Sequence, residues 1–579
     1  MPEKKPSTKD SKKESQQRLI TVLSIILIVI GTVIFLNPTL LGDLSKTNNS
    51  ISEEELIEQL GKGMCPISAV VRPLDFAKDN STVELIMKDQ EFRIKQAARL
   101  TGAVRIPTIV YDEVDENAPD PDDWTIFYAF HAYLKQTFPL VHANLKIETV
   151  NTYSLVYTWE GEDPSLKPLL LTAHQDVVPI SEQTKDDWKH PPFEGHYDGE
   201  KLWGRGAADD KNMLIAIMSS VEQLLEEGYT TKRTVLLAFG HDEEAGGARG
   251  AAHIAKFLEE RYGQDSVYAL LDEGTGLSYI GGKMFAIPSV GEKGATTLYI
   301  TLTAPGGHSS VPPKHTAIGI VSQAITVIEN NPFASELTVE SPALGMLQCI
   351  AKHTDQIPLW LKKNIFKAAY DAVANSKVLE FMARKPLYDT FVRTTQAIDV
   401  INGGVKSNAL PESVSFVINT RINAGTTVKQ VVDKILGNIV EVAEQHKLGV
   451  FLGDEEVLPS SPFGNFKIEW DRQLEPAPIS PMDDNTWDIF AGSVKHIVDE
   501  YSYPQLAPSI VTGNLLMGNT DTNRYWNLTN HIYRFEMTTY TMKEGIHTVN
   551  EYVLFNDHLS EIAFLYEYVK SINDFATAP

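Results

Sequence analysis

Short apolar runs alternate with stretches of helical periodicity along most of the chain. From about residue 90, the runs at 169–171, 235–239 and 268–271 have the length and composition of buried strands. Between them, 210–227 and 248–262 place their apolar residues at helical spacing. Alternation of this kind is typical of an α/β domain with a parallel sheet, which is the fold class that we predict for the main domain.

The pattern changes at about residue 291. A strand-like run at 296–304 is followed by an apolar helix at 315–329, and later by a strand at 414–420, a helix at 427–444 and a strand at 450–452. The stretch 356–384 is helical without a clear motif, and a long helix is predicted at 557–574. These patterns predict a small α+β unit inserted into the main domain, with the following boundaries: tail 1–18, apolar segment 19–36, stalk and extension 37–89, main domain 90–290 and 478–579, inserted unit 291–477.

The N-terminus carries an uncharged apolar run at 19–36, which as a helix would span about 27 Å at about 1.5 Å per residue. Basic residues dominate before this run, and acidic residues such as Asp43 and Glu53 follow it. The asymmetry predicts a single-pass transmembrane anchor with a cytosolic N-terminus and a lumenal body. The alternative is a cleaved signal peptide, but its apolar region would be shorter and a cleavage site is not evident.

Composition excludes several classes of protein. The net charge of −25 argues against a nucleic-acid partner, because phosphate binding needs a positive surface. Only two cysteines occur, Cys65 and Cys349, which excludes a cysteine-rich zinc site but leaves open whether the two pair. Asn48, Asn80 and Asn527 begin glycosylation sequons, in agreement with a lumenal body.

Polar residues follow three of the predicted strands at their carboxyl ends. His174 and Asp176 come after the first strand, Glu243 and Glu244 after the second, and Asp272 and Glu273 after the third. Taken singly, each has an ordinary structural explanation, such as a solvated loop. Open α/β sheets bind ligands at this edge, so we expect the side chains to converge there. Imidazole and carboxylate ligands without thiolate suit Zn²⁺, with Co²⁺ or Mn²⁺ as alternatives.

Seven short motifs give the chain a specific resemblance. Their order and content resemble the aminoacylase and carboxypeptidase-S family of co-catalytic zinc hydrolases, over roughly residues 90 to 575. The resemblance implies a phosphorylase/hydrolase-like zinc-peptidase catalytic domain with an inserted lid of the dimerisation type. The motifs are 171–179 around His174, 204–211 around Asp209, Asp242-Glu243-Glu244, Asp272-Glu273-Gly274, Gly307-His308-Ser309-Ser310, Gly518-Asn519-Thr520-Asp521 and Gly545-Ile546-His547.

The same resemblance implies a role for each residue of the metal centre. His174 and Asp272 would hold one zinc ion, Glu244 and His547 a second, and Asp209 would bridge the two. Asp176 would orient His174, as a carboxylate often orients a ligating imidazole. Glu243 would be the general base. Asp272 and Glu273 are adjacent, and we choose Asp272 as the ligand although the sequence does not decide between them.

Substrate recognition is assigned to the inserted lid. The resemblance implies that His308 polarises the scissile carbonyl, often in the partner subunit of a homodimer, and that Asn408 and Arg421 bind the substrate's carboxylate and carbonyl. Arg524 is a second candidate for the carboxylate. The expected activity is a Gly-X type metallocarboxypeptidase acting on short or N-blocked peptides, in the vacuole. The alternatives are an N-acyl-amino-acid amidohydrolase and a catalytically silent, membrane-anchored binding protein. An inverting glycosidase would leave the two histidines and the lid unexplained.

Overall fold

The computed structural model describes residues 52–111, 120–539 and 545–576. Two compact units are distinguished, residues 1–62 and 63–579. In the first, helix α1 (Glu53–Leu60) begins with a capping box, in which the side chains of Ser52 and Glu55 each accept the other's backbone N–H. All other elements named below belong to the second unit.

The second unit contains fourteen further described helices and 21 strands, numbered in chain order. The helices are α2 (Ser81–Lys88), α3 (Gln90–Val104), α4 (Ile126–Thr137), α5 (Pro139–Asn144), α6 (Lys211–Glu226), α7 (Ala251–Tyr262), α8 (Ala317–Asn330), α9 (Pro342–His353), α10 (Leu359–Lys367), α11 (Ala372–Met382), α12 (Pro386–Thr390), α13 (Val428–His446), α14 (Asn485–Ile497) and α15 (Phe555–Phe575). The strands are β1 (Lys146–Val150), β2 (Ser154–Trp159), β3 (Leu169–His174), β4 (His196–Tyr197), β5 (Lys201–Trp203), β6 (Val235–Gly240), β7 (Ala269–Ile280), β8 (Lys283–Ala286), β9 (Ser289–Glu292), β10 (Gly294–Thr303), β11 (Gly307–His308), β12 (Thr395–Gly403), β13 (Ala409–Leu410), β14 (Ser413–Ile422), β15 (Gly449–Leu452), β16 (Glu455–Leu458), β17 (Asn465–Leu474), β18 (Ile510–Val511), β19 (Asn514–Leu516), β20 (Ile532–Thr539) and β21 (Tyr552–Leu554).

A ten-stranded mixed sheet forms the main domain. Its central strands follow the order β2-β6-β3-β7-β20, and β6, β3, β7 and β20 run parallel to one another. Side chains of successive strand residues point to opposite faces, so Leu169 and Leu171 enter one core while Leu170 enters the other. Both faces are therefore covered, as the continuous apolar runs predict.

The helices on these faces are held by their apolar stripes. Helix α6 buries all but three of its sixteen residues, and packs with α15 against one face of the sheet. Helix α7 contributes Ile254 and Leu258 to the core on the opposite face. The α/β fold predicted from the sequence is observed.

A six-stranded sheet with two helices forms the inserted lid. Its strand order is β12-β14-β10-β17-β15-β16, and its own core lies between one face of this sheet and helices α8 and α13. In β10, alternate residues Leu298, Ile300 and Leu302 enter that core, which is why the run at 296–304 reads as a strand with one buried face. The predicted boundaries of the lid stay a prediction. The helical stretch 356–384 forms α10 and α11, with α12 following directly.

Within the described ranges, no helix is both long and apolar enough to cross a membrane. The segment 19–36 lies outside those ranges. On this finding the prediction of a single-pass membrane protein with a lumenal, vacuolar body is corrected and is not retained. The longest described helix, α15, is long enough but carries charged residues such as Asp557, Glu561 and Lys570, all buried in the protein core.

Cys65 and Cys349 form a disulfide bond, which settles the question that the sequence left open. The bond joins the segment before α2 to helix α9, and closes a loop across a sequence separation of 284 residues. Its surroundings are apolar, with Phe285, Met346 and Ile510 in the same small cluster.

Candidate metal centre

His174 is the last residue of β3 and is buried at the carboxyl edge of the sheet. Its Nε2 atom lies 3.0 Å from Asp209 Oδ1 and 3.6 Å from Glu273 Oε1. Its backbone N–H donates to the Asp210 carboxylate at 3.2 Å. Two carboxylates therefore meet the same imidazole nitrogen, which is the geometry of ligands that surround a shared cation.

Asp209 lies between two histidines. Its second oxygen, Oδ2, is 3.0 Å from His547 Nε2, and that nitrogen is also 3.0 Å from Glu244 Oε2. His174, Asp209 and Glu244 form one group of closely spaced ligand atoms, and His174, Asp210 and Glu273 form another. The carboxylate of Asp209 thus reaches towards both histidines, as a bridging ligand would.

Asp176 fixes two parts of the centre at once. His174 Nδ1 lies 3.0 Å from the backbone oxygen of Asp176 and 3.4 Å from its carboxylate oxygen Oδ1. The two carboxylate oxygens of Asp176 also accept the backbone N–H groups of Glu243 and Glu244, at 3.1 and 3.0 Å. Asp176 therefore contacts both the imidazole and the turn that carries the two glutamates, and its orienting role stays a prediction.

Asp272 and Glu273 point to opposite sides of β7. The sequence places both residues after a strand, but β7 continues through them to Ile280, with an irregular register against β20 at this point. Glu273 Oε1 lies 3.6 Å from His174 Nε2, and among the described residues no ion pair within 4.0 Å joins Asp272 to His174. The structure therefore favours Glu273, not the chosen Asp272, as the neighbour of His174.

The carboxylates of the centre repel one another in a buried space. Burial, followed by the charge of Glu273, raises the pKa of Glu243 well above its usual value. Burial and the charge of Asp209 raise the pKa of Glu244 to about 7. Hydrogen bonds to Asp209 and Glu244 raise the pKa of His547 to about 10. The histidines alone leave this concentration of negative charge incompletely balanced.

The residues present fit a pair of metal ions. Buried oxygens of Glu244 and Asp210 have no hydrogen-bond partner among the described residues, although buried polar atoms are normally paired. A bound cation would satisfy such oxygens and reduce the repulsion between the carboxylates. The donor set of two histidines and several carboxylates suits a divalent transition metal such as Zn²⁺.

Glu551 holds Asp209 in place and has no counterpart in the sequence prediction. Its Oε1 atom accepts the backbone N–H groups of Ala208 and Asp209, at 2.9 and 3.2 Å, and its other oxygen is paired with Arg205. Gly206 has φ +82°, and an added Cβ would lie 2.6 Å from Val177, so the turn before Asp209 requires glycine. No sequence signal links Glu551 to this turn, because 342 residues separate it from Asp209.

The predicted substrate residues of the lid form two separate groups. His308 lies on β11 and Asn408 directly precedes β13, the short strand that pairs antiparallel with β11. Both residues are exposed, and the Ser309 N–H donates to the Asn408 backbone oxygen at 3.2 Å. Arg421 is half-buried at the end of β14 and donates to Asn519 Oδ1 at 2.9 Å. Among the described residues, the hydrogen bonds of His308 and Asn408 stay within the lid.

Asn519 links the lid to the main domain. It accepts from Arg421 and its amide donates to the Lys293 backbone oxygen at 2.6 Å. Asn519 lies in the motif 518–521, but the sequence prediction gave this residue no role. The other carboxylate candidate, Arg524, donates to the Gly246 backbone oxygen at 2.7 Å and supports the turn after Glu244. Of the sequons, Asn48 lies outside the described residues, and Asn80 and Asn527 are exposed.

Comparisons with known proteins identify the family of this chain. The family model "Peptidase family M20/M25/M40" matches residues 170–571. Carboxypeptidase S of Saccharomyces cerevisiae is 43% identical over 524 residues, covering 89% of this chain and 91% of the relative. N-fatty-acyl-amino acid synthase/hydrolase PM20D1 of Mus musculus is 31% identical over 498 residues, covering 84% and 89%.

Solved structures show the same fold. An M20 family metallo-carboxypeptidase, Sso-CP2 from Sulfolobus solfataricus, superposes with a TM-score of 0.57 at 16% identity, covering 83% of this chain and 99% of that one. The chain belongs to the M20/M25/M40 peptidase family, whose members are metal-dependent peptidases. The predicted family, the α/β fold of the main domain and the enzyme class are confirmed.

Proposed function

We propose that this metallocarboxypeptidase uses two zinc ions to hydrolyse the C-terminal amide bond of short or N-blocked peptides of the Gly-X type. The observation that carries the metal assignment is the position of the Asp209 carboxylate between two histidines. Its Oδ1 lies 3.0 Å from His174 Nε2, and its Oδ2 lies 3.0 Å from His547 Nε2. His174, Asp209 and Glu273 would hold one ion, and Asp209, Glu244 and His547 the other. When bound, such ions polarise a carbonyl group and lower the pKa of an attacking water.

Glu243 is the proposed general base. It follows Asp242 in the turn that Asp176 holds, and as a carboxylate it would take a proton from the attacking water and return that proton to the leaving amine. The neighbouring Glu244 faces His547 at 3.0 Å, so the two adjacent glutamates have separate duties.

Arg421 and Asn408 are proposed to bind the free carboxylate and the carbonyl of the substrate. The guanidinium of Arg421 is already fixed by Asn519, which lowers the cost of ordering it for a planar carboxylate. His308 is proposed to stabilise the developing oxyanion. Because the described contacts of His308 and Asn408 stay within the lid, either lid closure or a homodimer that presents both residues to the partner's site is required.

A second candidate is hydrolysis of N-acyl amino acids by the same centre. It is supported by the 31% identity to a relative named as an N-fatty-acyl-amino acid synthase/hydrolase. Both substrates present an amide beside a free α-carboxylate, so Arg421 and Asn408 serve either one. The acyl or peptidyl side of the substrate distinguishes the two functions.

The deciding experiment combines metal counting with a substrate panel. Purified protein is analysed for zinc, then assayed with a blocked Gly-Leu dipeptide, an acetyl amino acid and a long-chain acyl amino acid. We expect two zinc ions per chain and the highest kcat/KM on the blocked dipeptide. Faster turnover of the long-chain substrate would favour the second candidate, and activity that survives complete removal of metal would contradict both.

A further inference from the structure

A second group of metal-binding side chains lies outside the metal centre. His190, Glu194 and His196 bring one ligand atom each to within 4.8 Å of one another, and none of them belongs to the centre described above. The two imidazole rings are stacked, with centroids 3.9 Å apart and an interplanar angle of 11°. We propose that these three residues form a separate binding site for a divalent transition-metal ion of the Zn²⁺ and Cu²⁺ type.

The donor set matches such an ion. Two imidazoles and one carboxylate are common ligands of Zn²⁺ and Cu²⁺, and they leave at least one position for water. Metal–ligand bonds of about 2.0–2.2 Å require the three donor atoms to move closer together than their present spacing. Glu194 is exposed and its side chain can turn, and the rings need to tilt their nitrogen-bearing edges towards the ion.

The His190 imidazole is suited to binding at neutral pH. Burial, the neighbouring His196 and Lys189 lower the pKa of His190, so its ring is neutral and its lone pair is available. Lys189 is itself directed over the Trp203 ring, with its ammonium group 4.3 Å from the centroid.

The backbone around the three ligands is held firmly from several sides. The Glu194 backbone oxygen accepts from Arg105 at 2.8 Å, and the Gly195 oxygen accepts from Thr101 at 2.8 Å. Gly195 has φ +61°, and an added Cβ would lie 2.8 Å from the Thr101 backbone oxygen, so the turn approaches α3 closely. His196 is fixed in β4, opposite Trp203 of β5. A turn that is already ordered loses little entropy when it binds an ion.

The turn also supports the loop that carries His547. The Asn550 side chain accepts the Lys189 backbone N–H and donates to the Asp187 oxygen. Arg205 joins the two segments, because its backbone N–H donates to the Pro192 oxygen and its guanidinium donates to the Thr548 oxygen. An ion at this site would therefore stiffen the backbone that supports the metal centre.

The test uses the full chain with two zinc ions already bound. Cu²⁺ is added, its binding is measured by equilibrium dialysis, and the bound ion is examined by electron paramagnetic resonance. We expect one further equivalent, with hyperfine splitting from two imidazole nitrogens. The double variant H190Q/H196Q should lose this equivalent, and E194Q should weaken its affinity about tenfold or more.

A matched control removes a different pair of histidines. The ring centroids of His315 and His446 lie 4.9 Å apart in the lid. Among the described residues, these two histidines belong to no metal-binding group with a carboxylate. The H315Q/H446Q variant should keep the additional equivalent. The proposal is overturned if wild type takes up no additional ion, if H190Q/H196Q still binds it, or if the control loses it equally. Should H190Q/H196Q lose its two zinc ions through misfolding, E194Q decides alone, and unchanged affinity in that variant overturns the proposal.

Discussion

The metal centre and the lid hold their functional residues in contrasting ways. At the carboxyl edge of the main sheet, His174 and Asp176 are buried and their positions are fixed by neighbouring backbone and side-chain groups. In the lid, His308 is exposed on a strand of two residues, and Asn408 is exposed directly before another two-residue strand. Arg421 is intermediate, since it is half-buried and held by Asn519. The contrast teaches that the chemistry is built into a rigid edge, while recognition depends on parts that are free to meet a substrate.

The sharpest test of the rigid side is E243Q. The variant keeps the size of the side chain but cannot accept a proton, so kcat should fall by about 10²–10⁴ while zinc content and KM change little. Steady-state kinetics and metal analysis measure the two effects. E260Q, in an exposed position on α7, is the matched control and should behave as wild type. A kcat near wild type in E243Q would remove Glu243 from its proposed role.

On the lid side, H308A should lower kcat without affecting stability. An exposed side chain contributes little to the core, but loss of an oxyanion donor costs about 10²–10³ in kcat. Thermal unfolding and kinetics on the same preparation separate the two quantities. H315A, which alters another exposed lid histidine, is the control. If H308A lowers the melting temperature as well as kcat, the residue has a structural role instead.

R421A should act mainly on binding. Hydrogen bonds to a charged group contribute about 1.5–3 kcal/mol, which corresponds to a loss of about 10- to 150-fold in kcat/KM. The loss should be much smaller for a substrate whose C-terminus is amidated, because that substrate has no carboxylate to bind. R384A removes a surface arginine paired with Glu380 and should be neutral. Equal losses on both substrates would exclude carboxylate recognition by Arg421.

N519A tests the connection between the two regions and should have a smaller effect. The variant leaves Arg421 in place but removes its acceptor, so KM should rise several-fold at nearly unchanged kcat. N519D keeps an acceptor for Arg421 but adds a negative charge that competes with the substrate's carboxylate, so KM should stay raised. A fall in kcat alone would mean that Asn519 acts on the metal centre rather than on recognition.

The metal-free protein should lose stability as the pH rises. Burial and Asp209 raise the pKa of Glu244 from 4.5 to about 7 in the folded chain, so between these values only the unfolded chain releases the proton. The melting temperature without metal should therefore fall as the pH rises from about 4.5 to about 7. Zinc at about 100 times its Kd should offset this by about 2.7 kcal/mol. If the melting temperature depends on pH to the same extent with and without zinc, the proposed ligand role of Glu244 is contradicted.

Much of the rigid edge could be predicted because its signals are local. The strand ending at His174 and the helix expected at 210–227 are found as β3 and as α6, Lys211–Glu226. Apolar spacing determines such elements, and strand ends then determine where polar side chains gather. The family resemblance added roles that no spacing provides.

What could not be predicted depends on register and on distant contacts. The continuation of β7 past Asp272 decides which of two adjacent acids faces His174, and strand register is set by the neighbouring strand β20. Glu551 and Asn519 act through partners far away in sequence. The N-terminal segment 19–36 lies outside the described residues, so its apolar run remains a sequence observation.

The disulfide bond between Cys65 and Cys349 determines which fragments stay joined after proteolytic cleavage. It encloses β3, α6, β6 and β7, the elements that contain or adjoin most of the proposed metal ligands, within one covalent loop. A protease that cuts once inside this loop leaves two fragments still joined, which migrate together on a gel until a reductant is added. A cut between Cys349 and His547 leaves His547 on a C-terminal fragment outside this covalent loop. Only noncovalent packing then holds that fragment to the rest of the protein.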